Sequence, residues 1–183
     1  MPVSLKEYYT TKETIIMTDS SPSFMKSVTR KDRGHYIKPA IDGLGRGNSD
    51  NFKFHQVIAI AILHDLKAYV ENREMIELVS LLVMNSWAAG KSKWFKDGEL
   101  IPSRLENVTT CLHFLKAGEG QPLGLVAEIS SEFWKIKSDE KGKAKLSTTE
   151  KLPSHTQGFS LQFNLGQYIL KLKTKADELE NFK

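Results

Sequence analysis

Seven consecutive apolar residues, VIAIAIL at positions 57–63, set the first limit on what this chain can fold into. A helix turns once every 3.6 residues, so seven apolar positions in a row cover its whole circumference. A surface helix carries one apolar stripe, and a helix that is apolar all round is buried. The stretch therefore predicts a helix over residues 55–70 at the centre of a core, with other elements packed on every side. With 183 residues, 40% of them hydrophobic and 26% charged, the chain can supply those elements and has the composition of a soluble globular protein. The longest apolar stretch, residues 78–90, is interrupted by Ser80, Asn85 and Ser86. It falls short of the roughly 20 residues a spanning helix needs, so no membrane partner is expected.

What flanks the central helix reads as follows. In YTTKETIIMTDSSPSFMKSVTR, Thr10 or Thr11 can cap a first short helix with Glu13 in its first turn, and TDSSP ends it. Pro22 suits the first turn of a second helix capped by Ser21, and Phe24, Met25 and Val28 share one side of it. Two short helices around a tight polar turn make a helix-turn-helix unit. RKDRGHYIKPAI reads as extended, because Pro39 disfavours the α region at Lys38. DGLGRGNSDN must turn, and FKF at 52–54 is expected to return as a strand, so the segment forms a small wing. After the central helix, ENRE is a polar break and residues 75–89 form a further apolar helix ended by Gly90.

From Thr109 the apolar period changes from helical to two. TTCLHFL, LGLVAEI, FWKIK, KAKLS and GFSLQFNL read as strands separated by turn residues. Asn164 and Gln167 form a capping pair for a last helix, on which Leu165, Ile169, Leu172, Ala176 and Leu179 fall at steps of four and three. The expected fold class is α+β, with an N-terminal winged helix-turn-helix domain over 1–90. A small α/β region over 105–183 follows, with antiparallel strands and a C-terminal helix, and the boundary lies at 90–104.

Charge is concentrated rather than large. The net +4 sits between residues 23 and 53, where Lys26, Arg30, Lys31, Arg33, Lys38, Arg46 and Lys53 face Asp32, Asp42 and Asp50. The rest of the chain carries nineteen charges of each sign. A local basic field of this kind points to an anionic partner.

Enzymatic motifs are weak. GLGRG spaces its glycines at 43, 45 and 47, which is not the dinucleotide fingerprint, and Pro39 interrupts the strand before it. Gly90, Lys91 and Ser92 match the end of a phosphate-binding loop, but Asn85 stands where its first glycine belongs. A nucleotide-binding enzyme is thus the weaker alternative, and the expectation is no enzyme and no cofactor. His35, His55, His64, His113 and His155 have no zinc spacing with one another or with the lone Cys111, so no metal is expected. One cysteine, and an N-terminus without an apolar leader, lead to the expectation of a cytoplasmic protein.

The segments YTTKETIIMTDSSPSFMKSV and IKPAIDGLGRGNSDNFKFHQVIAIAIL together resemble the MerR-like winged-helix family over about residues 9–84. The resemblance implies sequence-specific binding of double-stranded DNA, as in a transcriptional regulator or a phage- or plasmid-type DNA protein. Its second helix would lie in the major groove and its wing on the flanking backbone. Carried over by position, the candidates are Ser23, Phe24 and Lys26 on the second helix and Arg46 and Asn48 on the wing. The cations Arg30, Lys31, Arg33 and Lys38 join them as phosphate contacts. The alternative is a protein-interaction module that keeps the fold without binding DNA. The cysteines of metal-sensing members are absent, and so is the long dimer helix that usually follows the wing. A homodimer is therefore expected through the apolar seam of the C-terminal helix, with the competing expectation that the seam packs on the chain's own sheet.

Overall fold

The computed structural model of the protein describes residues 5–30, 37–43, 49–67, 95–96, 99–100, 110–115, 124–129, 132–138, 144–149 and 158–181. It combines helices with antiparallel strands. The helix expected over 75–89 lies outside the described residues.

The N-terminal part runs β1 (Tyr9–Thr10), α1 (Thr11–Thr18), α2 (Pro22–Thr29), β2 (Asn51–Phe52) and α3 (Phe54–Leu66). Thr10 caps α1 reciprocally with Glu13. The Glu13 N–H donates to Thr10 Oγ1 at 3.3 Å, and the Thr10 N–H donates to Glu13 Oε2 at 2.9 Å. Lys6 pins the same carboxylate from outside the helix at 2.8 Å. The helix ends where Asp19 takes the left-handed conformation, φ 51° and ψ 26°, and Ser20 N–H donates to the Ile15 carbonyl at 3.2 Å. This is a Schellman ending with aspartate in the position glycine usually fills. Three residues later α2 has begun, with Ser21 Oγ accepting the Phe24 N–H at 3.1 Å and Pro22 at its first position. Both expected caps are present because each needs only a short stretch of sequence.

The central helix is α3, and every residue from 57 to 63 is at most 3% exposed. Each of its buried isoleucines and leucines is worth roughly 1.5–3 kcal/mol relative to exposure. Its start lies at Phe54, which removes that residue from the expected return strand. The strand is only Asn51–Phe52, and it pairs with β1, Tyr9 opposite Phe52. The outgoing arm meets it through a single bridge, Ile41 to Asn51, with the Asn51 N–H donating to the Ile41 carbonyl at 2.9 Å. Gln56 ties the helix to this arm, its Nε2 donating to the Lys38 carbonyl at 2.6 Å. The Ile37 N–H donates to the Val28 carbonyl at 3.1 Å, and Ile37 is fully buried below α2.

In the C-terminal part, β3 (Phe95–Lys96) and β4 (Glu99–Leu100) form a short antiparallel pair. A five-stranded antiparallel sheet follows, from β5 (Thr110–Leu115), β6 (Gly124–Ile129), β7 (Glu132–Ser138), β8 (Ala144–Thr149) and β9 (Gly158–Phe163). Its order is β8-β7-β6-β5-β9. Four strands form a meander, and the chain then returns to the far edge, where β9 pairs with β5. Phe114 has Leu125 on one side and Phe159 on the other, while His113 in the next row has Val126 and Ser160. Apolar and mixed rows alternate across the sheet, as the period-two pattern requires. All five strands expected from that pattern are found.

Only Asn164 separates β9 from the last helix, α4 (Leu165–Asn181), and its Oδ1 caps α4 by accepting the Gln167 N–H at 2.9 Å. The helix packs on α1, and Leu172 lines a cleft with Met17 of α1 and Ala61 of α3. Ile169, Leu172 and Ala176 are at most 4% exposed within the single chain. The middle of the seam is thus buried within the single chain, with α1 against α4, while Leu179 stays partly exposed. Two polar links flank the contact. Tyr168 Oη donates to Asp65 Oδ2 at 2.6 Å, and Lys175 Nζ donates to Asp19 Oδ2 at 2.5 Å. Lys173, itself buried, pairs with Asp177 one turn on. No described helix is long and apolar enough to cross a membrane.

Candidate nucleic-acid interface

The short helix α2 divides cleanly into two sides. Phe24, Met25 and Val28 are buried, at 7% exposure or less, while Ser23, Lys26, Ser27 and Arg30 are exposed. Helical spacing produces this split, since 23, 26, 27 and 30 recur at steps of three and four. Phe24 lies on the buried side of α2. Its ring meets His64 of α3 edge-on, centroids 5.0 Å apart, so it takes part in the packing between α2 and α3. His64 packs against Phe24, and Asp65 is the acceptor for Tyr168.

The exposed hydroxyls are partly engaged. Ser23 Oγ lies 2.8 Å from Ser21 Oγ, and Ser27 Oγ donates to the Phe24 carbonyl at 2.7 Å. Both can still accept from outside. Sequence reasoning passed over Ser27, although its position four residues after Ser23 was the available signal. Lys26 stands in the last turn of α2 and Arg30 just past its end, where the partial negative charge of the helix terminus favours cations. Lys38 is exposed on the outgoing arm, between Ile37 and Pro39, which are both buried. Because Ile37 is hydrogen-bonded to Val28, that arm brings Lys38 back beside the end of α2. Lys26 and Arg30 thus stand at the end of α2, and the backbone of Lys38 follows the residue that is hydrogen-bonded to it.

Lys31, Arg33, Arg46 and Asn48 lie outside the described residues. The residues on either side of 44–48 are described, and they are firmly held. Asp50 Oδ1 accepts the Gly43 N–H at 2.8 Å, which ties the two flanks together. The Thr11 N–H donates to the Asp50 carbonyl at 3.0 Å and to Ser49 Oγ at 3.2 Å, so the second flank is fastened to the first turn of α1. Lys53, exposed at the head of α3, has its ammonium 6.0 Å from the centre of the Tyr8 ring.

Electrostatics inside the fold are carried by tyrosines. Burial first, and then the charge of Glu180, push the Tyr9 hydroxyl well above the usual phenol range. Burial, and then the hydrogen bond to Asp65, do the same for Tyr168. Both remain neutral at any ordinary pH, Tyr168 as the donor to Asp65. Among the described residues, no group of three or more His, Cys, Asp or Glu side chains gathers as a metal would need. Compared with protein-family models and with curated protein sequences, the chain matches none.

Proposed function

We propose that this protein binds duplex DNA as a winged helix-turn-helix of MerR-like type. In this reading the exposed side of α2 enters the major groove and the loop at 44–48 lies on the neighbouring backbone. The observation that supports it best is the pairing of a firmly packed short helix with a cluster of exposed cations and hydroxyls on its outer side. Ser23, Lys26, Ser27 and Arg30 have the right chemistry for that side. Lysine and arginine neutralise phosphate, and a lysine with flanking hydroxyls can also reach base edges. The flanks at Gly43, Ser49 and Asp50 would give Arg46 and Asn48 a fixed base from which to touch a phosphate.

The alternative, a protein-interaction module, draws on Ile16 and Ile41, the exposed large aliphatic residues among those described, at 46% and 45% exposure. Single exposed aliphatics are ordinary on soluble proteins and give this reading little weight.

The deciding experiment is a fluorescence-anisotropy titration of labelled random duplex DNA at several salt concentrations. Affinity should fall with salt, with a slope of about −0.9 in log–log form for each phosphate neutralised. No binding at low salt would end the proposal.

A further inference from the structure

Asp19 combines two unfavourable choices. It is the only non-glycine residue with positive φ among the described residues, in a position where glycine is the usual occupant. It also places a carboxylate at the C-terminal end of α1, where helix carbonyls already concentrate negative charge. Its compensation comes from 156 residues away: Lys175 of α4 donates to its Oδ2 at 2.5 Å. The turn that sets α2 relative to α1 thus carries a charge whose counter-ion belongs to the C-terminal helix. That helix joins the five-stranded sheet through Asn164 alone.

We infer that α4 is a latch on the turn between α1 and α2, with Lys175 on Asp19 holding the turn closed, so that undocking of the C-terminal helix loosens the presentation of α2. Tyr168 on Asp65 fastens the same face of α4 nearly two turns earlier, and the cleft between them is lined by Thr18, Asp19, Asp65, Tyr168 and Lys175. Movement of β9 would act directly on this helix. The consequence for DNA affinity rests on the DNA-binding reading; the consequence for the turn does not.

The test uses the full chain and two readouts. One is hydrogen exchange of the amides over residues 15–24, which includes the Ser20 N–H that closes the Schellman ending. The other is random-duplex affinity by anisotropy. Lys175→Glu, which puts a second negative charge beside Asp19, should speed exchange over 15–24 on the order of five-fold while the core amides of α3 stay protected. Asp19→Gly should leave exchange at the wild-type rate, because glycine takes the left-handed conformation unaided. In the double variant, the introduced carboxylate has no negative neighbour at position 19 to repel, and exchange should return to the wild-type rate. Affinity should follow the same pattern across the four proteins. Lys175→Glu with unchanged exchange would overturn the latch, and so would a double variant that exchanges as fast as Lys175→Glu. If exchange behaves as expected while no protein binds duplex, the latch stands and the DNA-binding reading falls.

Discussion

Replacing Leu172 with alanine separates an intramolecular seam from a dimer seam. Leu172 is 4% exposed and faces Met17 and Ala61 across the contact of α4 with α1 and α3. Truncating a buried leucine to alanine costs roughly 2–5 kcal/mol, the spread reflecting how fully the space can be refilled. Here the side chain borders a cleft, so water can enter the vacated space, and the lower part of the range, about 2–3 kcal/mol, applies. For a chain of this size each kcal/mol moves Tm by roughly 2–4 °C, which gives a fall of about 4–12 °C. The assay is a circular-dichroism melt at 222 nm, with molar mass by light scattering on the same samples. The expected result is a lower Tm and an unchanged mass. A variant that melts like the wild type but halves in mass would show that Leu172 joins two copies, and the packing argument would be wrong.

Lys26→Ala should weaken duplex binding and reduce the salt slope by about one if Lys26 meets a phosphate; a changed preference at one base pair would assign it to base reading instead. Arg46→Ala should weaken binding to all sequences alike while stability stays within about 0.5 kcal/mol of wild type, as for surface substitutions; selective loss on one sequence would contradict backbone contact. Tyr9 is 2% exposed with its pKa raised on folding, so its contribution to stability is fully present below its ordinary value near 10 and is lost as pH climbs from there towards the folded value. Urea unfolding between pH 9 and 11 should show stability falling with pH, by at most about 1.4 kcal/mol per unit from this one group, and Tyr9→Phe should remove that share while the share of Tyr168 remains. Lys91→Ala should leave the chain's response to ATP in equilibrium dialysis unchanged, and a wild-type affinity that vanishes in the variant would restore the nucleotide-binding alternative.

Local rules account for much of what the amino-acid sequence could reveal. Thr10 with Glu13, Ser21 with Pro22, and Asn164 with Gln167 each fix a helix start within a few residues, so neighbours in sequence suffice to place them. Seven apolar residues in a row could only be buried on every side, and α3 is. The strands from Thr110 to Phe163 followed from alternation, a property of each strand by itself. The short pair β3 and β4 has its sequence signal in the Asp97-Gly98 dipeptide between two short runs.

Direction and partnership were decided elsewhere. Phe24 was assignable to an apolar stripe, but that its ring meets His64, forty positions on, is decided only by the fold. Tyr9 becomes a strand only because Phe52 lies opposite it. The seam of α4 announced that it needed an apolar partner, but a stripe of leucine and isoleucine is equally content against a sheet, a second copy or another helix. Hydrophobic burial is non-directional, so the sequence specifies that such a face is covered without naming the cover. The choice of α1 and α3 is made where shape and polar links agree, with Tyr168 meeting Asp65 and Lys175 meeting Asp19 across more than a hundred residues of chain, and those pairings exist only once the whole chain has folded.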